Sequence, residues 1–151
     1  MYREDQKEND LFYTCGLIEY MARQTHNTKK YIVDKLGIEK ITHLYDLADI
    51  YHCQDKNQSM DEIMAGKGIE RGNYDHVANA RFEIPTHWDI GRVYTRLILA
   101  LEAERRQDRM ELLYDVLSSW FVEKLDNYNS SLYYENTSYH LESYKAGYLL
   151  P

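Results

Sequence analysis

Residues 74–101, YDHVANARFEIPTHWDIGRVYTRLILAL, decide the fold. Their second half places Ile90, Val93, Tyr94, Leu97, Ile98 and Leu101 at helical spacing, and Leu99 and Ala100 carry the apolar surface almost around the axis. A helix apolar on most sides belongs at the centre of a bundle. Its start is marked by Pro85, which halts what precedes it, and by Thr86 with Asp89, a capping-box pair. The segment before it, Ala65 to Ile84, gathers Gly66, Gly68 and Gly72 and loses periodicity. It reads as a long loop with a short extended piece at 80–84. A loop of that length in a small domain marks either function or an element without a clear pattern.

The same periodicity runs outward in both directions. Asn9 or Asp10 is placed to cap a first helix to about Thr25, with Leu11, Phe12, Cys15, Ile18 and Ala22 on one face and Tyr13, Leu17, Tyr20 and Met21 widening it. Glu19 is the one acid inside that face. Arg23, one turn on, is its natural partner, and a buried general base is the sharper alternative. Asn27 or Thr28 caps a short helix closed by Gly37, and a further helix follows from Ile38 to about Cys53. Ser59 with Glu62 suggests a capping box for a short helix ending at Gly66. After the central helix, to about Arg105, Asp108 with Glu111 opens a helix bearing Leu112, Leu113, Val116, Leu117, Trp120, Phe121 and Leu125. The short connection predicts an antiparallel hairpin. A last helix spans about Ser138 to Ala146, with Gly147 as its C-cap. The expected fold is all-α: one domain over 1–151, a bundle of about six to seven helices with one long loop before a central buried helix.

Composition narrows the function classes. A chain of 151 residues can bury a core of its own without metals or disulfides. The net charge of −7 disfavours nucleic acid and anionic membrane as partners. No apolar run approaches the roughly 20 residues of a membrane span, and the polar, acidic MYREDQKEND is neither a secretory nor a transit signal. A cytoplasmic protein is expected, with Cys15 and Cys53 as buried, reduced thiols. There is no Gly-rich phosphate loop, no Gly-x-Ser-x-Gly and no Cys-x-x-Cys, so no cofactor and no catalytic residue is assigned.

Four features could carry function. Residues 28–52 have a helix–glycine–helix form that admits a helix-turn-helix regulator. The second helix, however, shows Glu39, Asp46 and Asp49 against Lys40, the wrong balance for DNA. On that helix Asp46, Asp49 and His52 have metal-ligand types at one-turn spacing, though a solvated acidic face explains them as well and no metal residue is assigned. Arg92 and Arg96, one turn apart on the central helix, form a fork able to hold an anion; internal ion pairs are the plainer expectation. Finally, the chain carries 15 tyrosines, six of them between Tyr128 and Tyr148. Tyrosine suits both core-capping positions and interface anchors.

GLIEYMARQTHNTKKYIVDKLG (16–37), LADIYHC (47–53), residues 74–98 and NSSLYYENTSYHLESYKAGYLL (129–150) together resemble a small uncharacterised bacterial family across nearly the whole chain. Its members resemble accessory proteins encoded beside toxin-like genes, including ADP-ribosyltransferase-like ones. The resemblance implies an antitoxin-like or regulatory binding protein rather than an enzyme. The sequence therefore points to a non-catalytic protein-binding module that meets a basic partner through Tyr133, Tyr134, Tyr139 and Tyr144, with Trp88 and the 74–88 loop as a second patch, and a homo-oligomer is compatible with it. The alternatives are a metal- or anion-binding enzyme using Asp46, Asp49 and His52 or Arg92 and Arg96, and the helix-turn-helix regulator.

Overall fold

A computed structural model describes the backbone of residues 3–151 and the side chains from residue 6 onward. Among these residues every regular element is helical: α1 Arg3–Thr25, α2 Lys29–Asp46, α3 Ala48–His52, α4 Lys56–Met64, α5 His87–Arg105, α6 Arg109–Leu117, α7 Trp120–Leu125, a 3-10 turn Leu132–Tyr134, and α8 Thr137–Ala146. The all-α expectation holds, and no helix is long and apolar enough to cross a membrane.

The predicted central helix is α5, capped as expected: the Thr86 side chain accepts from Asp89 N, and the Asp89 carboxylate accepts from Thr86 N. Ile90, Tyr94, Leu97, Ile98 and Leu101 are fully buried. The axis of the bundle is nevertheless shared with α1, buried at every position from Asp10 to Ala22 except the half-buried Phe12. The two helices make the most extensive pairing in the molecule, and glycine permits it. A Cβ on Gly91 would lie 2.7 Å from the backbone nitrogen of Gly16 and 2.8 Å from its Cα. The backbones thus touch where Gly91 crosses Cys15 and Gly16, a packing that spacing alone does not reveal.

Several predicted boundaries move. Helix α1 does not start at Asn9 or Asp10; Asp10 lies inside it, buried, 3.5 Å from the Lys7 ammonium. Gly37 does close the helix capped by Thr28, since its non-helical backbone (φ +76°, ψ 160°) kinks α2 into two helical pieces there; the second piece, expected to reach Cys53, breaks at Leu47. Helix α4 begins at Lys56, because Asp55 takes the cap, and Ser59 is an internal residue whose hydroxyl donates to Tyr51 O. The stripe over 109–125 is two helices, since the Ser119 hydroxyl accepts from Phe121 N and restarts the chain as α7. The α5–α6 hairpin forms, held by Arg109 donating to both oxygens of Glu102 at 3.0 and 2.6 Å. Cys15 is buried, while Cys53 is exposed rather than buried.

No strand forms at 80–84 or elsewhere among the described residues. The stretch between α4 and α5 is long but tied down. Gly72 N donates to Thr25 O at 2.8 Å, Tyr74 N to His26 O at 2.9 Å, and Asn27 Nδ2 to Glu70 O at 2.8 Å. The left-handed His26 (φ +57°) turns the carbonyls at the end of α1 toward this segment. These bonds carry residues 74–76 into the bundle.

Candidate functional site

Three places gather chemistry, and the first is internal. Lys29 occupies the first turn of α2, where an ammonium meets the positive end of the helix dipole and gains nothing from it. It is fully buried nonetheless, because its Nζ donates to Glu19 Oε1 at 2.6 Å and Asp126 Oδ1 at 2.7 Å. Arg23 Nε donates to Glu19 Oε2 at 2.7 Å, and its Nη2 reaches Pro85 O and the Tyr128 hydroxyl. His76 Nε2 lies 2.9 Å from Glu19 Oε2, and the Tyr74 hydroxyl donates to Asp126 Oδ2 at 2.8 Å. Two carboxylates face two permanent cations, so the burial is compensated.

The ionisation of these groups follows their surroundings. Burial pushes the Glu19 carboxyl up, but Lys29, His76 and Arg23 outweigh it and hold it well below the ordinary value. Lys29 is the mirror case: burial pulls it down, and Glu19 with Asp126 lift it above. Burial and the nearby Asp126 raise the Tyr74 hydroxyl strongly, and burial with Glu19 does the same to Tyr128. Glu19 is therefore paired with Arg23 as expected, in a larger network; held ionised and fully bonded, it is not free as a base.

Glu19, His76 and Asp126 are the one group of three metal-type side chains among the described residues whose donor atoms lie within 4.8 Å of one another. Both carboxylates, however, already close on the Lys29 ammonium, which occupies the place a cation would take. The set does not fit a metal. Asp46, Asp49 and His52, named for the alternative enzyme reading, do not converge; all three are exposed, and only Asp49 and His52 border a common groove. The exposed side of residues 38–52 carries Glu39, His43, Asp46, Asp49 and His52, with Lys40 half-buried.

The second place is a cavity of about 430 Å³ between α5 and the segment from Tyr133 to His140. It unites Arg92, Arg96, Tyr133 and Tyr134 with Asp89 and the N-terminal residues of α8. The expectation that Arg92 and Arg96 form internal ion pairs is overturned: both are exposed, and neither lies within 4 Å of a carboxylate among the described residues. Arg92 also rests on the Phe12 ring, 4.9 Å from its centroid. Tyr134 is 69% exposed and meets Tyr133 edge-on at 5.0 Å. Glu83 is among the charges acting on the Tyr133 hydroxyl, and Arg81 N donates to Asn129 Oδ1 at 2.7 Å. Between these anchors Phe82 (69% exposed) and Ile84 (42% exposed) face outward.

The remaining predicted residues scatter. Tyr139 and Tyr144 do not join this cavity. The Tyr139 hydroxyl donates to Leu150 O, and the Tyr144 ring packs edge-on to Phe121 beneath Arg105. Both are half-buried and serve the C-terminal end of the fold. Trp88 is half-buried too, stacked on Tyr13 and tilted against Phe12, and it borders a third groove of about 620 Å³ that Arg92 separates from the second. His87, beside it, is pushed down to about 4 by burial and by the nearby Lys56 and Arg23 charges.

Lys29 and Asp126 escaped the sequence reading, and His76 entered it only as part of the 74–88 loop. Two signals could have marked part of the set: lysine in a first helical turn, against the dipole, and an acid on an otherwise apolar helix. No protein-family model, curated protein or solved structure matches the chain.

Proposed function

We propose that this chain is a non-catalytic protein-binding module, acting as an antitoxin-like or regulatory partner of another bacterial protein. The observation that carries the reading is the pair Arg92 and Arg96, exposed and without acid partners among the described residues, sharing a cavity with Tyr133 and the protruding Tyr134. Arginine and tyrosine are the residue types in which interface energy concentrates. An unpaired guanidinium fork also presents a bidentate carboxylate receptor that a partner's aspartate or glutamate completes. Phe82 and Ile84 add apolar contact beside it. The net charge of −7 draws a partner of positive overall charge over longer range.

The experiment is affinity purification of the tagged protein from its native cell, in three forms: wild type, Arg92→Glu/Arg96→Glu and Tyr134→Ala. All three side chains are exposed, so the variants fold. A stoichiometric partner that is retained by wild type and lost by both variants supports the reading. No partner, or one held equally by all three forms, overturns it.

A further inference from the structure

The third groove lies over α1, between α3 on one side and the first turns of α5 on the other. Gln6, Asn9, Asp10 and Tyr13 share one helical face of α1 and make the floor together with Phe12. The Tyr13 ring spans the two sides: it meets the His52 ring edge-on at 5.3 Å and stacks on Trp88 at 5.7 Å. Phe12 and Trp88 are half-buried and tilted against each other at 5.8 Å, with the Arg92 guanidinium over Phe12. The groove is thus an aromatic strip open to solvent.

Its two walls carry opposite charge. Asp49 and His52 form the α3 wall, both exposed. Asp46, a turn earlier and also exposed, belongs to the same side, since both aspartates act on the floor carboxyl of Asp10. Burial raises that carboxyl, Lys7 at 3.5 Å draws it back, and Asp49 and Asp46 add to the rise. The α5 wall carries Arg92, with Arg96 one turn beyond it. The Asp89 carboxylate, one turn before Arg92, is committed to Thr86 N in the cap. Neither Asp49 nor Arg92 has an oppositely charged side chain within 4 Å among the described residues.

We infer that two copies of this chain pair through the groove, about a two-fold axis lying along its α1 floor. Rotation about that axis sets the Arg92 wall of each copy over the Asp49 wall of the other and brings the Phe12 and Trp88 rings of both to the centre. Such a contact is isologous, so each charge pair is made twice. A uniformly basic or uniformly acidic partner satisfies one wall and strands the other. An apolar ligand covers the rings and leaves both charges desolvated, which is costly. A second copy brings both signs at the required spacing, around an aromatic centre of the kind in which interface energy concentrates. Two chains of net charge −7 repel over longer range, so the pairing depends on this local pattern and shows at physiological salt, where charges more than about 8 Å apart are largely screened. Arg92 belongs to this groove and to the neighbouring cavity, so self-pairing competes there with another protein, but the inference does not rest on that partner.

The test is sedimentation equilibrium of the purified full chain at about 0.15 M salt, for wild type, Arg92→Glu, Asp49→Lys and an equimolar mixture of the two variants. Both side chains are exposed, and thermal unfolding verifies that each variant folds; should Asp49→Lys lose its fold, Asp46→Lys takes its place. The expected wild-type dimer has a Kd on the order of 10 μM, and each variant alone, with like charges facing, associates about tenfold more weakly or less. In the mixture glutamate meets lysine and the native pair survives opposite it, so the heterodimer recovers to within about threefold of wild type. The inference is overturned if wild type stays monomeric up to about 300 μM, if either variant associates as wild type does, or if the mixture is no tighter than its components. A monomer whose native mass spectrum retains a small molecule gives the groove to another occupant and overturns it as well. Dimerisation is read without any other protein, so its failure is separate from failure of the affinity purification.

Discussion

Replacing Lys29 by methionine isolates what the buried network contributes. Methionine keeps an unbranched apolar stem of similar length, so repacking costs less than about 1.5 kcal/mol. The electrostatic loss is larger. Lys29 Nζ sits 2.6 and 2.7 Å from two carboxylates whose side chains are 0% and 3% exposed, beyond the reach of solvent screening. Removing one partner of a buried pair costs about 3–5 kcal/mol. Arg23 still bonds Glu19 in the variant, whereas Asp126 keeps only the Tyr74 hydroxyl and the more distant His76, 3.9 Å away. We therefore expect about 3 kcal/mol at neutral pH, a large part of the roughly 5–15 kcal/mol of a typical domain. Urea unfolding monitored by far-UV circular dichroism measures it.

The pH dependence of this loss has a definite sign. In the wild type the Glu19 carboxyl lies below its ordinary 4.5, so its contribution is complete above that value and disappears as pH falls through the folded one. Lys29, raised above its ordinary 10.5, contributes fully below that value and is lost only in strong alkali. In Lys29→Met the uncompensated carboxylate takes a proton as the medium is acidified, so the gap between the two proteins narrows from pH 7 toward about pH 4–5. Adding Asp126→Asn removes the stranded charge and should recover at least about half of the loss. A loss under about 1 kcal/mol at pH 7, a gap that does not change with pH, or no recovery in the double variant would refute the reasoning.

Gly91→Ala sets a helix-propensity gain of about 1 kcal/mol against an overpacking cost of about 1–3 kcal/mol. Since the new methyl meets the Gly16 backbone, which has no rotamer to yield, the net expectation is a loss of about 1–2 kcal/mol in thermal unfolding, and a gain would contradict the crossing described. Tyr94→Phe runs the other way. The Tyr94 hydroxyl is buried without a hydrogen bond, so its removal should leave stability equal or raise it by about 1 kcal/mol; a loss above about 1 kcal/mol would show that the hydroxyl is satisfied. The two thiols should separate under a thiol-specific chromophore. Cys53 reacts in the native state, while Cys15, pushed up to about 12 by burial, reacts only on unfolding. Two fast equivalents would place Cys15 outside the core.

Local physics made the helices legible in the sequence. Thr86 and Asp89, Thr28, Asp108 and Gly147 cap through groups a few residues away, and the apolar rows of α1 and α5 need only their own periodicity. Boundaries failed where two local choices competed and packing chose between them. Asp55 took the cap offered by Ser59 because Ser59 is buried under Tyr51, and Ser119 divided a stripe that looked continuous. The sites were only partly visible for a related reason. Arg92 and Arg96 were marked by spacing, but whether a carboxylate reached them depended on what the tertiary fold set beside them. The buried network draws on residues 19, 29, 76 and 126, whose separations carry no pattern. Lys29, His76 and Asp126 become one group only when the 65–86 segment is bonded to the end of α1 and α7 ends against the start of α2. Composition and periodicity fixed the class of fold, since each helix must bury its apolar side. Which charges end up facing each other is decided by how the helices cross, and only the tertiary structure holds that information.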